Sequence, residues 1–99
     1  MNMTDINYEH IVSYFPSCSK TIEDYIRNGN QLTNDDMLTF YSYFKQATIG
    51  NCNTSAPNFF QLKQKAKWNA WNDIKGMSSQ TAKIMYVNHA IMLGLFHVV

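Results

Sequence analysis

Four glycines and two prolines are all that interrupt this chain of 99 residues, and that scarcity constrains its fold more than any other feature. A β-sandwich needs turn residues at every hairpin, whereas a chain with so few breakers is left with long helices. The apolar side chains agree. Met37, Leu38, Tyr41, Phe44 and Thr48 recur at helical spacing behind Thr33-Asn34-Asp35-Asp36, a capping residue followed by acids where the helix dipole favours them. Lys45 lies in the later turns and Gly50 stands where a glycine ends a helix, so a helix is predicted over 34–49. Upstream, Phe15, Cys18, Ile22, Tyr25 and Ile26 repeat at steps of three and four; Pro16 suits the first helical turn and Asn28-Gly29-Asn30 closes the segment. Residues 5–15, with Ile6, Tyr8, Ile11 and Val12, add a preceding turn or short helix. Residues 50–62 read as a loop, long for a small bundle and therefore either well packed or functional. Another helix starts near Lys63, runs through Ala66, Ala70, Trp71 and Ile74, and stops at Gly76. The last, capped by Ser78, carries Ala82, Met85, Tyr86, Ala90 and Leu93 to about residue 94. The expected fold is all-α: about four helices, with one long loop between the second and third.

Composition narrows the class further. The chain is 45% hydrophobic and 15% charged, and its six Tyr, six Phe and two Trp supply the large side chains of one packed core. No apolar run nears the roughly 18–20 residues that span a membrane. Met1-Asn2-Met3-Thr4-Asp5 lacks the basic and apolar stretches of a secretion signal. A cytoplasmic location is expected, and with it free thiols at Cys18 and Cys52 rather than a disulfide. His10, His89 and His97 are scattered, with no cysteine or histidine pairing suited to a metal. The sequence has no Gly-rich phosphate loop, no HExxH and no GxSxG, and its seven acids leave little for paired-carboxylate chemistry, so no enzyme is expected.

The net charge of +1 hides an asymmetry. Residues 1–36 set Lys20 and Arg27 against Asp5, Glu9, Glu23, Asp24, Asp35 and Asp36; residues 37–99 set Lys45, Lys63, Lys65, Lys67, Lys75 and Lys83 against Asp73 alone. A basic half invites an anionic partner, although attraction between acidic and basic elements accounts for the same split. The lysines also alternate with aromatics. Tyr41, Phe44 and Lys45 share a helical face, and Lys63, Lys67 and Trp71 follow at four-residue steps. Lysines hold phosphates as point charges and aromatic faces stack on purines. Taken singly, each aromatic is as well explained by a core position and each lysine by a solvated surface. Their co-occurrence is what favours a phosphate-and-ring site.

Tyr41-Ser42-Tyr43-Phe44-Lys45-Gln46-Ala47-Thr48-Ile49-Gly50, followed by Lys65-Ala66-Lys67-Trp68-Asn69-Ala70-Trp71-Asn72, closely resembles the acyl-CoA-binding protein family. The family pattern is Tyr-x-x-(Tyr/Phe)-Lys-Gln-Ala-Thr-x-Gly, then Lys-x-x-Trp-x-Ala-Trp after a proline-containing loop. The resemblance extends from about Phe15 to Leu93, which makes residues 14–99 the domain and residues 1–13 an N-terminal extension with helical character. It implies an up-down-down-up four-helix bundle that binds long-chain fatty acyl-CoA esters non-covalently. Such a protein acts as a monomeric carrier or buffer in lipid metabolism, with no cofactor and no nucleic-acid partner. It also implies that Tyr41, Ser42, Tyr43, Phe44 and Lys45 form the contact segment for the adenine and 3′-phosphate, with Lys45 as a charged contact. Lys67 matches the lysine for the 3′-phosphate, Lys63 a supporting lysine, and Tyr86 the contact from the last helix.

Three positions depart from the family pattern. Phe44 replaces a tyrosine common among relatives, which removes a hydroxyl but keeps a ring. Glu23 falls where many relatives place a ligand-contacting lysine; an acid there opposes phosphate binding, and Lys20 is the other candidate base on that helix. The run Ile91-Met92-Leu93-Gly94-Leu95-Phe96-His97-Val98-Val99 is apolar where relatives are commonly lysine-rich, and either packs on the domain or forms a contact surface. The alternative to a carrier is a small helical interaction or nucleic-acid-binding module using the basic half. Near-neutral charge and a single arginine, Arg27, stand against the nucleic acid.

Overall fold

A computed structural model describes residues 8–98 of the chain. Five helices follow in order: α1 (Tyr8–Ser13), α2 (Phe15–Arg27), α3 (Asn34–Thr48), α4 (Leu62–Asn72) and α5 (Ser79–Met92), with no strand among the described residues. The expectation for residues 5–7 and for Val99 lies outside that range. Four of the helices are those expected. The fifth, α1, is separated from α2 by Tyr14 alone, because Pro16 has no N–H to offer the carbonyl of Val12; the chain turns instead with the Tyr14 N–H on Ile11 O at 3.0 Å. Among the described residues no helix is long and apolar enough to cross a membrane.

The caps read from the sequence are present. Thr33 Oγ1 accepts the Asp36 N–H at 3.1 Å, and Ser78 Oγ accepts the Thr81 N–H at 3.0 Å. At the other end of α3, Gly50 takes φ +101°, a left-handed conformation that turns the chain out of the helix and is open to glycine at little cost. Helix α4 ends at Asn72, short of Gly76. The chain tightens there, with the N–H groups of Ile74 and Lys75 reaching back to Trp71 O and Asn72 O, each at 3.2 Å.

Helix directions follow from which residues meet. Lys45, late in α3, lies over Trp71, late in α4, with Nζ 4.8 Å from the ring centroid; Lys67 Nζ lies 5.3 Å from the centroid of Tyr41. Helices α3 and α4 are therefore parallel. Fifteen residues of α3 rise about 22 Å, and a parallel neighbour needs a connection of that reach, which the loop over 49–61 supplies. Helix α5 runs the other way along α3: Ser79 Oγ donates to Ala47 O at 2.6 Å, and His89 Nε2 lies 3.0 Å from Asp36 Oδ1 at the far end. The core unites Phe15, Cys18 and Ile22 of α2 with Phe40 and Ala47 of α3, and with Ala82, Tyr86, Val87 and Ala90 of α5. The apolar C-terminal run packs on the domain. Leu95, Phe96 and Val98 lie against this cluster, and Phe96 meets Tyr14 edge-on with centroids 5.8 Å apart.

The long loop is tied down by side chains that the sequence motif supplies. Gln46 is 1% exposed; its Nε2 donates to Met77 O at 2.8 Å and to Asn51 Oδ1 at 2.9 Å. The same Asn51 oxygen accepts the Gly76 N–H at 2.7 Å. Trp71 Nε1 donates to Gly50 O at 2.7 Å, and Trp68 Nε1 to Thr54 O at 2.9 Å. The start of the loop, the turn after α4 and the C-terminal ends of α3 and α4 are thus joined by polar bonds, and loss of a buried one leaves a carbonyl without a partner. Gln46→Ala is expected to lower the unfolding free energy by about 1–3 kcal/mol. Urea titration followed by tryptophan fluorescence reads the change, and an unmoved midpoint would mean that these bonds do not hold the loop.

Candidate functional site

Helix α2 packs on α5 rather than on α3, and the space left between α2 and α3 is a cavity of about 380 Å³. Its floor is aromatic. Tyr86 lies between Phe15 and Phe40, with centroids 5.2 and 4.9 Å away, and Phe44 adds a ring 6.4 Å from Tyr86. Ile22 and Ile26 of α2 face Met37 and Leu38 of α3 across the opening, and Lys67 reaches the rim from α4. A second cavity of about 510 Å³ lies between the N-terminal ends of α3 and α4, lined by Leu62, Lys63 and Ala66 opposite Asn34. Met37, Leu38 and Lys67 line both cavities. The two form one groove, apolar along α2 and α3 and cationic where α4 borders it.

The residues expected to bind a ligand divide along the turn of α3. Tyr41, Phe44, Lys67 and Tyr86 line the first cavity, and Lys63 with Lys67 the second. Lys45 lines neither. It is half-buried one turn beyond Tyr41 and lies over the indole of Trp71. Ser42 is buried, its hydroxyl donating to Thr39 O at 3.0 Å, and Tyr43 packs against the core cluster. Both side chains face away from the groove, since each residue turns about 100° from the last in a helix.

Glu23 does line the first cavity, where Arg27 of the next turn pairs with it. Lys20 is not at the lining; its ammonium bonds Asp24 at 2.7 Å and holds that carboxyl below the usual carboxylate range. Ser19, Ile26 and Phe40 complete the wall and floor without having been singled out from the sequence as site residues. For Phe40 the signal lay in α3 itself, which is apolar both along Met37, Leu38, Tyr41 and Phe44 and along Phe40, Tyr43 and Ala47. One buried face of a bundle helix needs only one such stripe.

Among the described residues no group of histidine, cysteine and acidic side chains could hold a metal ion. Cys52 is half-buried beside Thr54 at 3.9 Å and is absent from the groove's lining. What the groove offers is an apolar trough, flat aromatic faces and ammonium groups at one end. These suit the retention of an amphiphilic anion.

Fold and site together define a small helical bundle of the ligand-binding kind. The chain belongs to the acyl CoA binding protein family, whose model matches residues 7–90. Acyl-CoA-binding domain-containing protein 5 of Xenopus laevis is 43% identical over 75 residues, covering 75% of this chain and 16% of that protein. Acyl-CoA-binding protein homolog 3 of Caenorhabditis elegans is 39% identical over 74 residues, 74% of this chain and 64% of that protein. The chain therefore spans less than two-thirds of the length of these relatives. Among solved structures, the acyl CoA binding protein of Babesia bovis superposes with a TM-score of 0.69 at 41% identity, covering 84% of this chain and 92% of that one. Acyl-CoA-Binding Protein 2 of Oryza sativa gives 0.68 at 30% identity, covering 88% and 90%.

Two buried groups under the groove set an alkaline limit. Burial pushes the Cys18 thiol from 9.0 up to about 12, and burial chiefly, with the nearby Cys18 and Glu23 charges, raises the Tyr86 phenol above 10.0. The unfolded chain releases these protons at their ordinary values while the folded chain keeps them. Their contribution to stability is thus full below about pH 9 and falls as pH rises from 9 toward 12. Melting curves through that range are expected to show the decline, and Cys18→Ala to delay its onset toward the tyrosine range.

Proposed function

We propose that this chain binds long-chain fatty acyl-CoA esters non-covalently and acts as a monomeric cytoplasmic carrier or buffer, catalysing no reaction. The ligand-binding unit begins near residue 14, with residues 1–13 as an extension whose described part, α1, packs on α5. One observation carries the reading: Lys67 lines both cavities together with Met37 and Leu38, and its ammonium lies over the face of Tyr41. An acyl-CoA has the matching sequence of parts, with phosphates and a purine at one end and a chain at the other. In this reading Lys67 and Lys63 hold phosphate oxygens, Tyr41 and Phe44 stack on the ring, and Tyr86 closes the floor. Lys45, fixed over Trp71, contributes positive charge from the next turn. Ser42 and Tyr43 hold the contact segment in place through the core. The groove over Ile22, Ile26 and Leu38 covers the acyl chain.

Both ends are needed. Phosphates on exposed lysines stay solvated and screened, so free CoA binds weakly and loses affinity with salt. A free fatty acid gains about 0.8 kcal/mol per buried methylene, but its carboxylate lacks a dedicated partner. Joining the two spends the association entropy once. In a calorimetric series from short to long acyl-CoA, affinity is expected to rise with chain length and then level off, with palmitate and CoA each far weaker. Palmitate competing as well as its CoA ester would overturn the reading.

Charge at the rim gives a second prediction. Lys67→Ala is expected to weaken binding by about 1.5–3 kcal/mol, while the loss of its contact with Tyr41 changes stability by less than about 1 kcal/mol. Glu23→Gln removes an acid from the cavity wall and is expected to tighten binding about two- to fivefold at low salt. Unchanged affinity in Lys67→Ala would remove this lysine from the site.

A further inference from the structure

Phe59 and Phe60 line neither cavity and belong to no part of the core cluster. With Leu62 they are 73%, 77% and 75% exposed, a run of large apolar side chains at the end of the long loop. The tip they occupy is built. Asn58 Oδ1 accepts the Phe60 N–H at 3.0 Å, the Asn58 carbonyl accepts the Gln61 N–H at 3.1 Å, and the two rings stack with centroids 4.2 Å apart. A turn held this way keeps both rings in water, which is unfavourable unless something apolar receives them.

The charges around the tip indicate what that is. Lys63 and Lys67 stand on α4 one turn apart and exposed, while Lys65 is turned to Trp68, 5.4 Å from its ring. No acid occurs between Asp36 and Asp73, and Asp73 caps the opposite end of α4. Of the acids in the first turn of α3, Asp36 faces His89, and Asp35 is not among the residues lining the cavity that Leu62 and Lys63 border. Projecting aromatic rings followed by lysines, in a stretch of chain without acids, match a lipid interface, where rings lie among the headgroups and ammonium groups meet phosphates. A protein partner would need a pocket to take a protruding pair of rings, whereas a bilayer interface admits them without one.

We propose that Phe59, Phe60 and Leu62, with Lys63 behind them, dock this protein on an anionic lipid bilayer. Because Leu62 and Lys63 also border the groove between α3 and α4, docking sets the cationic end of that groove against the surface. The proposal goes beyond the ligand reading and does not depend on it.

Co-sedimentation with vesicles tests it, using phosphatidylserine and phosphatidylcholine in a one-to-two ratio beside phosphatidylcholine alone, without acyl-CoA. The chain is expected to pellet with the mixed vesicles at low salt, several-fold less with neutral ones, and progressively less as salt is raised. The double variant Phe59→Ser, Phe60→Ser is expected to lose binding by about tenfold or more, with Phe60→Ser alone intermediate. Circular dichroism of both variants should match the parent, since neither ring packs in the core. Equal pelleting of parent and double variant overturns the proposal, as does a parent that stays in the supernatant with the mixed vesicles. A concentration-dependent dimer that the double variant dissociates, with no vesicle binding, overturns it in favour of a second copy of the chain. Acyl-CoA affinity in solution, measured on the double variant, is expected to be unchanged, so a failure of docking and a failure of the ligand reading give different results.

Discussion

Tyr86 is the wedge on which the groove depends. Its ring is buried between Phe15 of α2 and Phe40 of α3, and it stands on a helix whose neighbouring inward positions, Ala82 and Ala90, are small and fully covered. Small residues let α2 and α3 come close to α5, while the aromatic ring between them keeps the two helices from closing on each other. A close-packed interior has no tolerance for an unfilled gap of that size. The space persists because it opens to solvent and because its walls, Ile26, Met37 and Phe44 among them, stay partly exposed. Leaving such surface uncovered costs stability, as is usual where a fold keeps room for a ligand.

The polar bonds around Gln46 perform the complementary task on the other side of α3. Gln46, Trp68 and Trp71 hold the long loop at three points, Asn51, Thr54 and Gly50, and this fixes α4 as a parallel neighbour of α3. That placement brings Lys63 and Lys67 to the groove. The motif from Tyr41 to Gly50 therefore carries two interleaved functions on one helix. Tyr41 and Phe44 face the cavity, while Gln46 and Ala47 face the core and anchor the loop beyond Gly50 and the start of α5. Gln46 Oε1 is buried without a partner among the described residues, so the amide is held by its two donated bonds alone.

Charge along the chain acquires a spatial meaning in the same frame. Glu23 and Asp24 of α2 pair with Arg27 and Lys20, and Asp35 and Asp36 lie in the first turn of α3, where the helix dipole favours their charge. They do not neutralise the lysines of α4, which lie across the groove from α2. The sequence asymmetry thus becomes a cationic edge beside an apolar trough. Glu23 is the exception: it stands in the cavity wall and depends on Arg27 for its counter-charge.

Helix content, the Thr33 and Ser78 caps, the end of α3 at Gly50 and the family motif over Tyr41–Gly50 and Lys65–Asn72 were all legible in the sequence. Each rests on local spacing or on a contiguous motif, and local rules act within a few residues. The break at Tyr14 was less visible, since it depends on one missing N–H at Pro16. The sequence could not show which of two apolar stripes on α3 faces the core, because both repeat at helical spacing. Nor could it show that Ser42 and Tyr43 turn inward, that Glu23 enters the cavity wall while Lys20 is held by Asp24, or that Leu95 and Phe96 pack against the domain. Those outcomes were decided by the packing of α2 and α3 on α5 and by the bonds that hold α4 beside α3, contacts between residues too far apart in the chain for periodicity to register.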